Sequence, residues 1–97
     1  MGIESIEEVI NNSNLQENVK RKAINTLDSH SSKIERMIEG LYFKPPTAHE
    51  EFYHEITKEI MSIIGPILIE SKVQRKEGCQ MYNNIYKVVA RGLQPLN

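Results

Sequence analysis

Apolar residues recur every three or four positions along this chain, which is the spacing of one face of an α-helix. In residues 3–10 the apolar positions are Ile3, Ile6, Val9 and Ile10, and glutamates occupy the opposite face. The polar run Asn11-Asn12-Ser13-Asn14 follows. Such side chains compete for backbone hydrogen bonds and favour turns. The pattern therefore predicts a short first helix that ends at this run.

The most regular apolar stripe runs from Leu15 to Leu41 in steps of three or four residues. Asn14 and Glu17 have the spacing of a capping box, which marks a helix start. The polar run from Ser29 to Ser32 interrupts the stripe, and Ser32 could begin a second helix there. Because the apolar phase continues through the serines, we expect one long helix over residues 15–39. Two shorter helices are the alternative.

A third helix is predicted after Pro45-Pro46, where Thr47 and Glu50 again have capping-box spacing. Its first apolar positions form a stripe, but from Ile60 onward apolar residues surround the helix. Gly65-Pro66 lies inside this segment, and an internal proline removes one backbone hydrogen bond and crowds the preceding turn. We therefore expect a kink or a break there.

The remainder of the chain predicts one more helix. Residues 70–78 are strongly polar and are expected to be an exposed helical end that leads to a turn near Gly78. The last helix takes Ile85, Val88 and Val89 as its core face, and Gly92 and Pro95 end it. The predicted fold is an all-α bundle of about four helices, with residues 1–97 in a single domain.

The apolar segment in the middle of the chain carries the leading functional hypothesis. A helix that is apolar on every side is buried on every side. Few other helices are available to cover it, so it lies either in the middle of the bundle or at an interface between chains. We therefore predict a non-enzymatic protein-interaction or assembly module. Its partner is a second copy, in a homodimer, or another helical protein. The predicted interface residues are Ile60, Ile63, Ile64, Ile67 and Leu68.

Composition narrows the class of protein. Hydrophobic residues make up 39% of the chain, charged residues 26%, and the net charge is −1, which excludes a disordered chain. Cys79 is the single cysteine, so no disulfide can form within the chain, and the N-terminus lacks a signal-peptide profile. The longest apolar stretch is shorter than the roughly 20 residues that a membrane span requires. These features favour a cytoplasmic protein without membrane partners.

A divalent metal site is an alternative function. His49 and His54 are five positions apart, about 140° around a helix, so they cannot readily share one ion. Glu51 and His54 have the Glu-x-x-His spacing of metal-binding helical bundles, and His30 is a candidate third ligand. A solvated first helical turn explains the same residues, and we expect no cofactor otherwise. No nucleophile–base pair or opposed carboxylates can be placed together, so we predict no catalytic residues and no enzyme activity.

Nucleic-acid binding is a further alternative, although the near-neutral charge does not favour it. Two basic clusters could contact phosphate. The first is Lys20, Arg21 and Lys22, and the second lies within residues 72–76 and includes Arg75 and Lys76. An ordinary solvated helix face explains both clusters equally well.

Overall fold

The computed structural model describes residues 2–92, and Pro95 therefore lies outside the described part. Five α-helices are joined by short turns, and the described residues contain no strand. The predicted all-α bundle is confirmed. The helices are α1 (Gly2–Asn11), α2 (Glu17–Asp28), α3 (Ser31–Gly40), α4 (His49–Glu70) and α5 (Arg75–Gly92). Two single 3-10 turns, Leu41–Phe43 and Pro46–Ala48, connect α3 to α4.

Helix α4 occupies the centre of the bundle. It packs against α5 on one side and against α2 and α3 on the other, and α1 packs against α5, α2 and α3. Ile56, Ile60 and Ile64 form a stripe along α4 with no solvent exposure. The main core surrounds this stripe with side chains from all the other helices, among them Ile6, Ile10, Leu27, Ile34 and Ile85.

The expectation of one long helix over residues 15–39 is wrong, because α2 ends at Asp28 and α3 begins at Ser31. Side chains compete with the backbone at this point. Ser29 Oγ donates to the carbonyl of Thr26 at 2.7 Å, and His30 Nδ1 lies 2.9 Å from the same oxygen. Leu27 and Ile34 are nonetheless both fully buried. The spacing of buried apolar residues therefore continues unchanged across the break between the two helices.

Neither predicted capping box forms. The N-cap of α2 is Gln16 and that of α4 is Ala48, and neither side chain bonds the helix terminus. Before α2, Ser13 organises the turn by donating to the carbonyl of Ile10 at 2.6 Å. Before α4, a 3-10 turn led by Pro46 takes the place of a side-chain cap.

Helix α4 is continuous through Gly65 and Pro66. The predicted break is therefore wrong, and the kink stays a prediction. Pro66 is exposed, so its ring faces solvent rather than the core. Ser62 is the residue whose carbonyl loses its usual partner to the proline, and its hydroxyl donates to the carbonyl of Glu59 at 2.7 Å.

The turn between α4 and α5 is a Schellman motif, four to seven residues before the position predicted for it. The backbone N–H of Val73 donates to the carbonyl of Leu68, and that of Lys72 donates to the carbonyl of Ile69, as this motif requires. Lys72 has a φ of 58°, at the position where glycine is usual. Val73 packs against Leu68. Gly78, where the turn was predicted, lies inside α5.

A carboxyl pair lies between α1 and the end of α2. A side-chain hydrogen bond with Asp28 raises the pKa of Glu7 to about 7, and burial and the charges of Asp28 and Glu4 act in the same direction. Two ionised carboxylates can only accept hydrogen bonds. The buried Glu7 Oε2 has no hydrogen-bond partner among the described residues. A hydrogen bond with Asp28 therefore needs one shared proton, which is consistent with the raised pKa of Glu7.

This pair gives the fold a defined pH dependence. The pKa of Glu7 is about 7 in the folded chain against an ordinary value of 4.5, so the folded state holds the proton more tightly between these two values. The stability that this proton adds to the folded state is fully present below pH 4.5 and is lost as the pH rises to 7. Urea titrations should show wild type losing roughly 1–3 kcal/mol across this window relative to Glu7→Gln.

Glu8→Gln is the matched control, because Glu8 is exposed on the same helix. It should retain the pH dependence of the wild type. An equal pH dependence in wild type and Glu7→Gln would contradict the shared proton.

Candidate functional site

The three predicted metal ligands are exposed, and His30 lies on a different part of the chain from Glu51 and His54. His30 is on the α2–α3 turn, where its Nδ1 contacts the carbonyl of Thr26. Glu51 and His54 are on the first turns of α4, and His54 Nδ1 lies 3.1 Å from the hydroxyl of Tyr82. Within residues 2–92, no group of three His, Cys, Asp or Glu side chains is placed to hold a metal ion.

His54 belongs instead to an aromatic cluster between α4 and α5. Its ring lies over Tyr86 with centroids 4.4 Å apart, and Tyr86 meets Tyr53 edge to face at 6.2 Å. Burial raises the pKa of Tyr86, and the nearby carboxylate of Glu50 raises it further. These contacts close the space between the two helices at this end of the bundle.

The first basic cluster is partly engaged within the chain. Lys20 Nζ donates to the carbonyl of Asn11 at 2.8 Å and pairs with Glu17 at 3.5 Å. It therefore connects α2 to the last turn of α1. Lys22 pairs with Glu70 at 3.6 Å, and Arg21 is exposed. The second cluster, with Arg75 and Lys76, lies on the first turn of α5 and is exposed.

The predicted interface residues are covered by the chain itself. Ile60 and Ile64 have no exposure and belong to the main core. Ile67 and Leu68 are buried in a smaller cluster with Val19 of α2, and Ile63 is half-buried. The bundle therefore supplies what we expected a partner chain to supply, and these side chains present little surface to a partner.

The surface that does remain open lies between α4 and α5, beyond the aromatic cluster. It is an apolar groove of about 370 Å³, here called the α4–α5 groove. Its lining residues are Met61, Gly65, Leu68, Ile69, Val73, Gln74, Arg75, Gly78, Cys79 and Tyr82.

Two features keep the groove open and apolar. Each helix contributes a glycine to it, Gly65 from α4 and Gly78 from α5. A Cβ atom at either position would meet no other group within 4 Å. Ile69, on the wall of the groove, is 79% exposed. A large aliphatic side chain so exposed beside an apolar groove is characteristic of a contact surface.

Basic residues border this groove. Arg75 is among the lining residues, and none of the ten is acidic. Lys58 lies one helical turn before Met61 on the same face of α4, and Lys76 lies one turn before Cys79 on α5. Both lysines are exposed, and none of these three cations takes part in the ion pairs found among residues 2–92.

A second exposed apolar surface precedes α4. Phe43 is 89% exposed and Tyr42 is 66% exposed, on the 3-10 turn that ends α3. Lys44 Nζ lies 4.9 Å from the centre of the Phe52 ring, so the chain turns back onto α4 directly after Phe43. The two aromatic rings are left outside the bundle, where they form a small hydrophobic projection.

Sequence reasoning missed both surfaces, although each left a signal. The apolar circumference after Ile60 correctly indicated more apolar surface than a stripe buries, but the uncovered part is Ile69 and its neighbours in the groove. Glycines inside helices, such as Gly65 and Gly78, were interpreted only as a kink and a turn. The aromatic pair Tyr42-Phe43 directly follows Leu41, the last position of the periodic stripe, and this position indicates that the stripe does not bury the pair.

Comparisons with known protein families, with curated proteins and with solved structures found no significant match to this chain. Among residues 2–92, no helix has the length and apolar character needed to cross a membrane. The candidate site therefore rests on the geometry of the groove alone.

The two groove glycines should lower stability in order to keep the groove open. A glycine inside a helix costs about 0.5–1 kcal/mol relative to alanine, and neither site has a neighbour that a methyl group would strike. We expect Gly65→Ala and Gly78→Ala each to raise the free energy of unfolding by about that amount.

The measurement is urea or thermal unfolding of the single variants. Gly40→Ala is the matched control, because a Cβ there would lie 3.7 Å from the Phe52 ring, at the end of α3 rather than in the groove. Loss of stability in both groove variants would show that the glycines are required by packing.

Proposed function

We propose that this chain is a non-enzymatic protein-interaction module that docks a partner protein in the α4–α5 groove. The observation that carries the proposal is the exposure of Ile69 at the wall of an apolar groove. Burying an exposed aliphatic side chain of this size releases about 1.5–3 kcal/mol. A partner that covers Ile69 and Met61 together gains that stabilisation from a surface that is already formed.

The construction of the groove supports a docking role. Its two walls come from α4 and α5 and one end comes from the turn between them, and binding to a preformed surface loses little conformational entropy. The Schellman turn holds Val73 against Leu68 at one end, and the His54–Tyr82 contact closes the other. We place the module in the cytoplasm, where a lone exposed thiol such as Cys79 stays reduced.

The single cysteine allows a direct test, because Cys79 is exposed on the groove wall. A benzophenone maleimide attached there should, on irradiation in an extract of the producing cells, cross-link a defined partner that mass spectrometry identifies. The purified partner should then bind the unlabelled chain in calorimetry. Ile69→Gln should weaken that binding about tenfold, because the central apolar anchor is lost without a change in charge.

The control places the same reagent on another face. Cys79→Ser combined with Ser32→Cys moves the label to an exposed position on α3. The proposal predicts that the partner is not cross-linked from there. Identical adducts from both positions, or equal affinity for wild type and Ile69→Gln, would contradict docking in the groove.

A homodimer is our second proposal, and the exposure of Phe43 and Tyr42 favours it. Two adjacent exposed aromatic rings can meet their equivalents across a twofold axis, where the same patch serves both chains. Light scattering on the wild type should then give a dimer mass at micromolar concentration, and Phe43→Ser should give a monomer mass. A wild-type monomer over that range would contradict the dimer.

A further inference from the structure

We infer that the partner segment in the α4–α5 groove is an acidic amphipathic helix. The inference rests on the proposed docking function and adds the chemistry of the occupant. A groove between two helices is the usual receptor for a helix that presents apolar residues on one face. The charges at the borders of this groove determine what flanks that face.

The shape of the groove fits a helix. Its α4 wall extends from Met61 to Ile69, a separation of eight residue steps and therefore about 12 Å, or roughly two helical turns. Gly65 and Gly78 face each other across the groove without side chains, so a partner backbone can approach closely at its middle. Apolar side chains spaced three and four residues apart on the partner would lie along this length.

The positive charges at the groove favour a partner helix with acidic residues beside its apolar face. Arg75 lines the groove, and helical spacing places the exposed Lys58 and Lys76 one turn before the lining residues Met61 and Cys79. The carboxylates nearest in sequence are directed elsewhere. Glu70 pairs with Lys22, and Glu77 lines a depression beside the α1–α2 turn. A helix with Asp or Glu beside its apolar face would therefore meet Arg75 in the groove and a lysine one turn from the lining on each of the two helices.

The electrostatic contribution has a recognisable signature. Each exposed ion pair contributes little to binding and is screened by salt, whereas the apolar contacts with Ile69 and Met61 are not screened. The acidic residues of the partner should therefore determine selectivity at low salt, and the apolar face should supply the affinity that remains at high salt.

The test uses the whole chain and two fluorescein-labelled amphipathic peptides of about four helical turns. Both carry the same leucines at helical spacing, and one has glutamates where the other has glutamines on the flanks. Fluorescence anisotropy should show about tenfold tighter binding of the glutamate peptide at low salt. The preference for the glutamate peptide should shrink at high salt, and Ile69→Gln should weaken the binding of both peptides.

Charge reversal provides the matched control. Arg75→Glu with Lys76→Glu should abolish the preference for the glutamate peptide, whereas Arg21→Glu with Lys87→Glu makes the same change in net charge away from the groove and should leave it intact. Circular dichroism confirms that each variant is folded. If both peptides bind equally and Ile69→Gln weakens the binding of each, the acidic partner is overturned but the docking function is not. Binding that Ile69→Gln leaves unchanged, or no binding by either peptide, would overturn the inference, and the Cys79 cross-linking experiment decides the docking function separately.

Discussion

The burial of one stripe along α4 is the constraint on which the rest of this bundle depends. Ile56, Ile60 and Ile64 are fully enclosed, and each contributes about 1.5–3 kcal/mol through the apolar area it removes from water. To enclose them, α5 lies along one side of α4, and α2 and α3 lie along the other, while α1 packs against these three helices. The break between α2 and α3 lets those two short helices follow α4.

The same arrangement explains why one face of α4 stays open. Near its N-terminus, the rings of Tyr53, His54 and Tyr86 fill the space between α4 and α5. Near its C-terminus the corresponding positions are occupied by Gly65 and Gly78, which fill nothing. The rings therefore fill the space between the helices at one end, and the two glycines leave a groove at the other. The opening is therefore a consequence of sequence at a few positions, not of loose packing.

Much of the helical layout follows from periodicity, because apolar spacing reports which face is buried. It correctly indicated the buried stripe of α4 and the core positions Ile85 and Val89 of α5. It failed at Ser29 and His30, because Leu27 and Ile34 keep the same phase on either side of a real break. It failed again at the caps, where a 3-10 turn and the Ser13 hydroxyl replaced the expected side chains.

The candidate site was harder to foresee because it depends on where the bundle leaves a surface uncovered. Periodicity shows that Ile60 and Ile69 are both apolar, but not that the packed helices enclose Ile60 while nothing in residues 2–92 encloses Ile69. That distinction is made by the tertiary packing of helices from distant parts of the chain. For the same reason, the spacing of Glu51 and His54 could not reveal that His54 contacts Tyr82 across the helix pair.

The groove glycines have neither of the usual structural reasons to be glycine. No described glycine has a positive φ, so Gly65 and Gly78 are not needed for a backbone conformation that other residues avoid. Nor does a neighbour approach either of them closely enough to exclude a methyl group. Each nevertheless weakens its helix relative to alanine. The docking function that we propose, which needs room for a partner against the α4–α5 groove, would account for two such positions in one groove lining.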